Sequence, residues 1–252
     1  MNLDRFDAIT SRYPHLRLTV VGDFCLDRYF DIDPERQEIS IETGLPVHNV
    51  TGIRCQPGAA GTILNNLVAL GIGELRPIGF CGDDGEGWEL RRALSLAPRV
   101  HTDGFLTTPD RVTFSYSKPL LHRSGQPPEE LSRLDVKNWT PTPESVAEAI
   151  ERNLKAALAR SDGLIVMDQV DVAGTGVVSG SWVQRLDALV ADLRPGMVAI
   201  ADSRRTLREF PPLIFKMNAA ELAALLGIPA SASLESIRDQ ASRLARRNGR
   251  PV

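Results

Sequence analysis

Cysteine is scarce in this 252-residue sequence, and the three present, Cys25, Cys55 and Cys81, form no C-x-x-C pair and show no Cys/His spacing of a zinc site. A reduced, cytoplasmic chain is the expectation. No run approaches the roughly 18 apolar residues of a membrane span, and Met1 to Asp7 carries acidic residues where a signal peptide would have an apolar stretch. The chain is therefore expected to be neither secreted nor inserted. An excess of charge is also missing: 29 Lys and Arg face 32 Asp and Glu, a net charge of −3. That gives no footprint for nucleic acid or an acidic membrane, and points to small molecules as partners. There is no G-x-x-x-x-G-K-[ST] loop, which excludes the commonest kinase design. No G-x-G-x-x-G follows the first apolar strand, which disfavours a Rossmann dehydrogenase.

What is present reads as one large α/β domain, with 42% hydrophobic and 24% charged residues. Leu18 to Val21 predicts a buried strand closed by Gly22-Asp23. Short strands between polar turns follow from Arg28 to Arg54. Helices are then predicted over Ala60 to Leu70 and Gly85 to Leu96, around a strand at Leu75 to Phe80. Strand pairs at Phe105-Leu106 and Arg111 to Ser117 join residues 28–54 in an expected small β-layer. Beyond Thr140 to Glu144, Val146, Ile150, Leu154 and Leu158 fall at helical spacing. Strands at Leu164 to Met167, Met197 to Ala201 and Leu213 to Phe215 then alternate with helices over Trp182 to Leu193, Ala219 to Leu226 and Leu234 to Arg246. Such alternation implies a mostly parallel sheet. Arg246 to Val252 reads as a helix stop leading into a strand that does not arrive, so a fragment is expected.

Four motifs carry candidate chemistry. Gly22-Asp23-Phe24-Cys25-Leu26-Asp27-Arg28-Tyr29 stands at a strand's carboxyl end, where open α/β sheets bind ligands. Asp23 and Asp27 there can accept hydrogen bonds from vicinal sugar hydroxyls, or can be a turn Asp and a surface Asp. Pro57 to Thr62 places small residues before a helix, where backbone can approach a ligand. Gly79 to Gly87 is a strand leaving into a glycine-rich turn, read mainly as a tight turn with acids at a helix start. In Lys216-Met217-Asn218-Ala219-Ala220-Glu221, Asn218 and Glu221 form a capping box. A carboxamide and carboxylate so placed can also organise a hydrated Mg²⁺ beside phosphates.

In this order the four motifs resemble the PfkB, or ribokinase-like, carbohydrate kinases, and the heptose-phosphate kinase branch in particular. The resemblance implies an α/β fold, a ribokinase-like mostly parallel sheet flanked by helices on both faces. It also implies a small β-lid over about 28–54 and 105–117, and a domain spanning 1–252 that is truncated at its C-terminus. It implies ATP-dependent phosphorylation of a sugar or sugar phosphate, with ATP and Mg²⁺. Asp23, Asp27, Gly58, Ala59, Thr62, Lys118 and Arg133 would then meet the sugar; Gly58-Ala59 would be a lid hinge, and Thr113 and Asp135 fall in the same family motifs. Asn218 and Glu221 would serve the Mg²⁺-phosphate region. A lid face bearing Val47, Val50 and Ile53 would close on substrate or pair with a second subunit as a homodimer. Three positions depart from the pattern: Ala59 replaces a glycine, which restricts positive φ, Thr62 an asparagine and Met217 a proline. The family's Asp-Thr-x-Gly-Ala-Gly-Asp segment, with its anion hole and catalytic base, has no match, so the base is expected beyond Val252. Gly174-Thr175-Gly176, within Asp171 to Gly180, comes too early to replace it. A non-catalytic sugar-phosphate-binding or regulatory homologue is the alternative.

Overall fold

Neighbouring residues on a strand point to opposite faces, and on the first long strand both faces are sealed: Val20 and Val21 are each 0% exposed. A strand of that kind belongs in the middle of a layered α/β structure. The computed structural model describes residues 2–178, 181–231 and 233–252. In chain order its elements are α1 (Leu3–Thr10), β1 (Arg17–Gly22), β2 (Phe24–Ile32), β3 (Glu38–Ile39), β4 (Pro46–Val47), β5 (Val50–Ala59) and α2 (Ala60–Ala69). Next come β6 (Glu74–Gly82), α3 (Gly85–Leu96), β7 (Phe105–Thr108), β8 (Ser115–Leu121), β9 (Glu129–Glu130), β10 (Leu134–Val136) and α4 (Glu144–Leu158). The last are β11 (Gly163–Asp168), α5 (Ser181–Ala191), β12 (Val198–Ser203), β13 (Ile214–Phe215), α6 (Ala219–Leu226) and α7 (Leu234–Asn248).

Six strands in the order β13-β12-β11-β1-β6-β7 form a wholly parallel central sheet. Val21 faces a core built with Ile150 and Leu154 of α4 and Trp182 and Leu186 of α5. Val20 faces the opposite core, with Leu64 of α2 and Leu90 and Leu94 of α3. Helices thus cover both faces, as the parallel sheet requires. Helix α4 shows why: its apolar stripe, Val146, Ile150, Leu154 and Leu158, is buried, and Glu148, Arg152 and Lys155 stay in solvent.

A second sheet, β10-β8-β2-β5 with β9 on β8, starts at the central sheet's carboxyl edge, because only Asp23 separates β1 from β2. Its make-up corrects the predicted lid. Residues Phe105–Thr108 belong to the central sheet, as edge strand β7 parallel to β6. Phe105 is 7% exposed and meets Phe24 edge-on at 5.2 Å, so burial of that ring draws the segment into the core. Residues 111–114 are irregular, and the pairing strands are β8, β9 and β10, between 115 and 136. The expected apolar positions lie open on this chain: Val50 is 44% and Ile53 59% exposed. No helix among the described residues is long and apolar enough to cross a membrane.

Candidate functional site

A cavity of about 380 Å³ opens where the second sheet overhangs the ends of β11 and β12. Its floor comes from the second sheet's polar face. The β2–β8 register sets Asp27 opposite Tyr116 and Tyr29 opposite Lys118, so Asp27 and Lys118 are diagonal neighbours on one face. Lys118 Nζ donates to Asp27 Oδ1 at 3.0 Å and to the Tyr29 hydroxyl at 3.4 Å. It also lies 4.9 Å from the centroid of the Tyr29 ring. Burial pulls the Lys118 ammonium down, and its bonds to Asp27 and Tyr29 more than reverse this, leaving its pKa raised. Both partners of the pair are mostly shielded, with side chains 17% and 13% exposed.

Gly58 opposes Cys25 on β5, and it has a steric reason to lack a side chain. A Cβ there would stand 2.6 Å from Asp27 Oδ2 and 2.7 Å from Cys25 Sγ. Ala59 and Thr62 line the wall where β5 turns into α2. Ala59 adopts φ +54° and ψ −117°, a region that favours glycine. The departure from the glycine pattern is therefore carried as backbone strain.

The remaining walls hold residues that the motifs did not single out. Arg133, which was expected, stacks 5.0 Å over Tyr116 and chelates Asp135 at 2.6 and 2.9 Å. Burial pushes the Tyr116 hydroxyl up to about 12. Lys137 pairs with Asp171 at 2.8 Å, which holds that carboxyl below its ordinary range. Arg204 Nε donates to Gln169 Oε1 at 3.1 Å, Gln169 Nε2 to Asp202 Oδ1 at 3.4 Å, and Lys216 Nζ to Asp202 Oδ2 at 2.6 Å. Gln169, Asp202 and Arg204 follow or end strands at the carboxyl edge, so the strand-end rule applied to β11 and β12 would have found them.

Four expected site residues do not line this cavity: Gly58, which packs behind it against Asp27 and Cys25, and Asp23, Asn218 and Glu221. Asp23 is 2% exposed, and its carboxylate is turned away to backbone N–H groups of Gln169, Val170 and Val177. Asn218 and Glu221 form the capping box at the start of α6: Glu221 N–H donates to Asn218 Oδ1 at 2.9 Å, and Asn218 N–H to Glu221 Oε2 at 2.8 Å. Glu221 borders a neighbouring groove of about 540 Å³, walled by Arg205, Arg208 and Met217. Arg204 lines both cavities. Thr113 is likewise structural, its hydroxyl donating to Asp84 at 2.6 Å and accepting from Gly82 N–H. In the glycine-rich stretch after β11, residues 171–178 form a loop, and Ser179 and Gly180 lie outside the described residues.

Chemically, the cavity sets Asp27, Asp171 and Asp202 among Lys118, Arg133, Lys137 and Arg204. Carboxylates accept from hydroxyls and a cationic rim accepts an anion, a combination suited to a polyhydroxylated, phosphorylated molecule. Among solved structures the fold matches a putative phosphofructokinase from Staphylococcus aureus, with TM-score 0.65 and 16% identity over 92% of this chain and 68% of that one. It also matches phosphofructokinase-2 from Escherichia coli in complex with fructose-6-phosphate, with TM-score 0.62 and 14% identity over 92% and 71% of the two chains. In sequence, the chain is 30% identical to the bifunctional protein HldE of Gluconobacter oxydans over 189 residues, 75% of this chain and 36% of that protein. The chain thus shares the fold of these sugar kinases and resembles part of HldE in sequence. The HldE of Hyphomonas neptunium matches at 30% identity over 228 residues, 87% of this chain and 43% of the relative. The chain thus spans about two fifths of the length of these curated relatives. No family model matches it.

Proposed function

We propose that the protein transfers the γ-phosphoryl group of ATP to a hydroxyl of a sugar or sugar phosphate, and that this chain supplies the acceptor site. The observation that carries the reading is the Asp27–Lys118 pair, held by strand register at the mouth of the central sheet and rimmed by Arg133, Lys137 and Arg204. Asp27 accepts from an acceptor hydroxyl. Lys118 fixes the Asp27 carboxylate, and the cationic rim offsets the charge of a phosphate on the substrate. Phosphoryl transfer depends mainly on positioning and charge stabilisation, and a preformed pair serves the first.

The nucleotide phosphates are assigned to the neighbouring groove, which Arg204, Arg205 and Arg208 line together with Glu221. Arg204 then stands between donor and acceptor. Among the described residues no cluster of three or more His, Cys, Asp or Glu can hold a metal ion. Glu221, which lines the groove, would be the residue to hold a hydrated Mg²⁺, and the ion would supply charge neutralisation on the nucleotide phosphates. The 252 residues contain no Asp-Thr-x-Gly-Ala-Gly-Asp segment, so no residue of this chain is assigned as the base, and the chain alone is expected to bind without turnover. The exposed face around Val50 and Ile53 is the surface we assign to lid closure or to a second copy.

A binding or regulatory role is the second reading, favoured by the commitment of Asn218 and Glu221 to each other. Calorimetry with fructose 6-phosphate and sedoheptulose 7-phosphate, on the chain and its Asp27→Asn variant, tests the acceptor site. Binding that weakens in the variant supports it; equal affinity refutes it. ATP turnover by the protein in its natural length separates the kinase from the regulator.

A further inference from the structure

Asp23 does no work in the cavity, yet its buried carboxylate accepts three backbone N–H bonds beside it. It follows Gly22, which is pressed so closely to β11 that a Cβ would meet the Met167 carbonyl oxygen at 2.1 Å. Asp23 N–H donates to that same carbonyl at 3.0 Å. Its Oδ2 accepts from Gln169 N–H at 2.7 Å and Val170 N–H at 3.0 Å, and its Oδ1 from Val177 N–H at 2.7 Å. A Cβ on Gly176 would stand 2.5 Å from Oδ1, so the segment closes around the carboxylate. Other contacts hold the segment's middle: Thr142 N–H donates to the Gly174 carbonyl at 2.8 Å, and Arg111 to the Thr175 carbonyl at 3.1 Å.

We infer that Asp23 is a positioning residue, a latch that ties both ends of the 169–177 segment to one point and thereby sets Gln169 and Asp171 as a wall of the Asp27 cavity. Gln169 is the link from that wall to Arg204 and Asp202, so releasing the latch loosens the junction between the two cavities. The inference rests on the reading of the Asp27 cavity as the acceptor site, and it replaces direct sugar binding by Asp23 with action through the backbone.

The latch carries a pH dependence. Burial, reinforced by the carboxylate of Asp168, pushes Asp23 up to about 6 against the pull of its three N–H donors. Asp168 ends β11, and is itself held by Arg205 at 3.2 Å and Ser203 at 2.6 Å. From the second sheet, Cys25 faces the region with its thiol pushed up by burial, an effect that Asp27 and Asp23 add to and Lys118 and Arg204 oppose. Protonating Asp23 removes the negative charge that strengthens all three N–H bonds.

The test is made on the 252-residue chain. In the free protein, the amide resonances of Gln169, Val170 and Val177 should titrate together between pH 7.5 and 5 with one midpoint near 6. They should be flat in Asp23→Asn. At pH 7.5 that variant should bind fructose 6-phosphate roughly tenfold more weakly than wild type, because the wall carrying Gln169 and Asp171 is no longer fixed before the ligand arrives. The gap should close toward pH 5, where wild-type Asp23 is also neutral; the phosphate's own titration is common to both proteins and cancels. Amides that ignore pH, or a variant of wild-type affinity at pH 7.5, would overturn the latch. If the variant does not fold, the wild-type titration decides alone. Amides that titrate together in a chain that binds neither fructose 6-phosphate nor sedoheptulose 7-phosphate would sink the acceptor reading and leave the latch standing.

Discussion

Ala59→Gly should stabilise this protein, against the usual direction of a glycine substitution. Ala59 ends β5 and caps α2 at φ +54° and ψ −117°, well away even from the small left-handed helical well, the part of positive-φ space open to an L-residue. Holding an L-residue in a sparsely populated region costs about 1–3 kcal/mol. Glycine removes that strain and returns about 0.5–1 kcal/mol to the entropy of the unfolded chain. The net gain is then about 0–2.5 kcal/mol, and with a urea slope of about 3 kcal/mol/M the midpoint rises by up to about 0.8 M. Urea unfolding followed by circular dichroism measures it. Gly58→Ala is the built-in contrast, since its Cβ would stand 2.6 Å from Asp27 Oδ2; overpacking of that kind lowers stability by about 1–3 kcal/mol. Should Ala59→Gly lower the midpoint while Gly58→Ala leaves it unchanged, the account of this turn is wrong.

Asp27→Asn should weaken sugar-phosphate binding by about 1.5–3 kcal/mol through the lost charge-assisted acceptor, and should also lower the urea midpoint because Lys118 is left without its anion in a shielded site; calorimetry and unfolding read the two effects separately. Arg204→Ala should weaken sugar-phosphate and nucleotide binding together, because that side chain lines both cavities, and titrations with each ligand alone would show loss at only one if the assignment is wrong. Asp162 accepts from the Arg17 backbone and guanidinium and from Arg194, which holds its carboxyl down at about 2. A depressed carboxylate contributes stability above its unfolded value near 3.9 and loses it as the pH falls toward 2; screening at this part-exposed pair leaves about 1 kcal/mol. Asp162→Asn should therefore be less stable than wild type at pH 7 and indistinguishable at pH 2, and a constant difference across that range would contradict the pairing.

The layered fold was readable where a segment's own pattern decides its place. Val20-Val21 on β1, the stripe of α4 and the Asn218–Glu221 box are local features, and each forms as its spacing predicts. The second sheet was half readable, since β2 and β5 have strand character, but β9 and β10 are two and three residues long and exist through pairing with β8. Phe105 misled because a strand's propensity does not say which sheet will bury it. The cavity was legible for the residues of motif and strand, Asp27, Lys118 and Arg133. Asp23 shows the limit: its partners lie 146 to 154 positions along the chain, and nothing near it in sequence distinguishes a latch from a ligand. Gln169, Asp202 and Arg204 escaped for the same reason, because topology gathers them.

The acceptor assignment is tested most directly by mapping where a sugar phosphate touches the protein. Titration of isotope-labelled chain with sedoheptulose 7-phosphate, followed by amide and lysine-Nζ resonances, should move Asp27, Thr62, Lys118, Arg133 and Arg204 first and saturably, with Asp27→Asn abolishing the response at Lys118. Saturable shifts confined to the Arg205–Arg208 groove, or none at Asp27 and Lys118, would contradict the account.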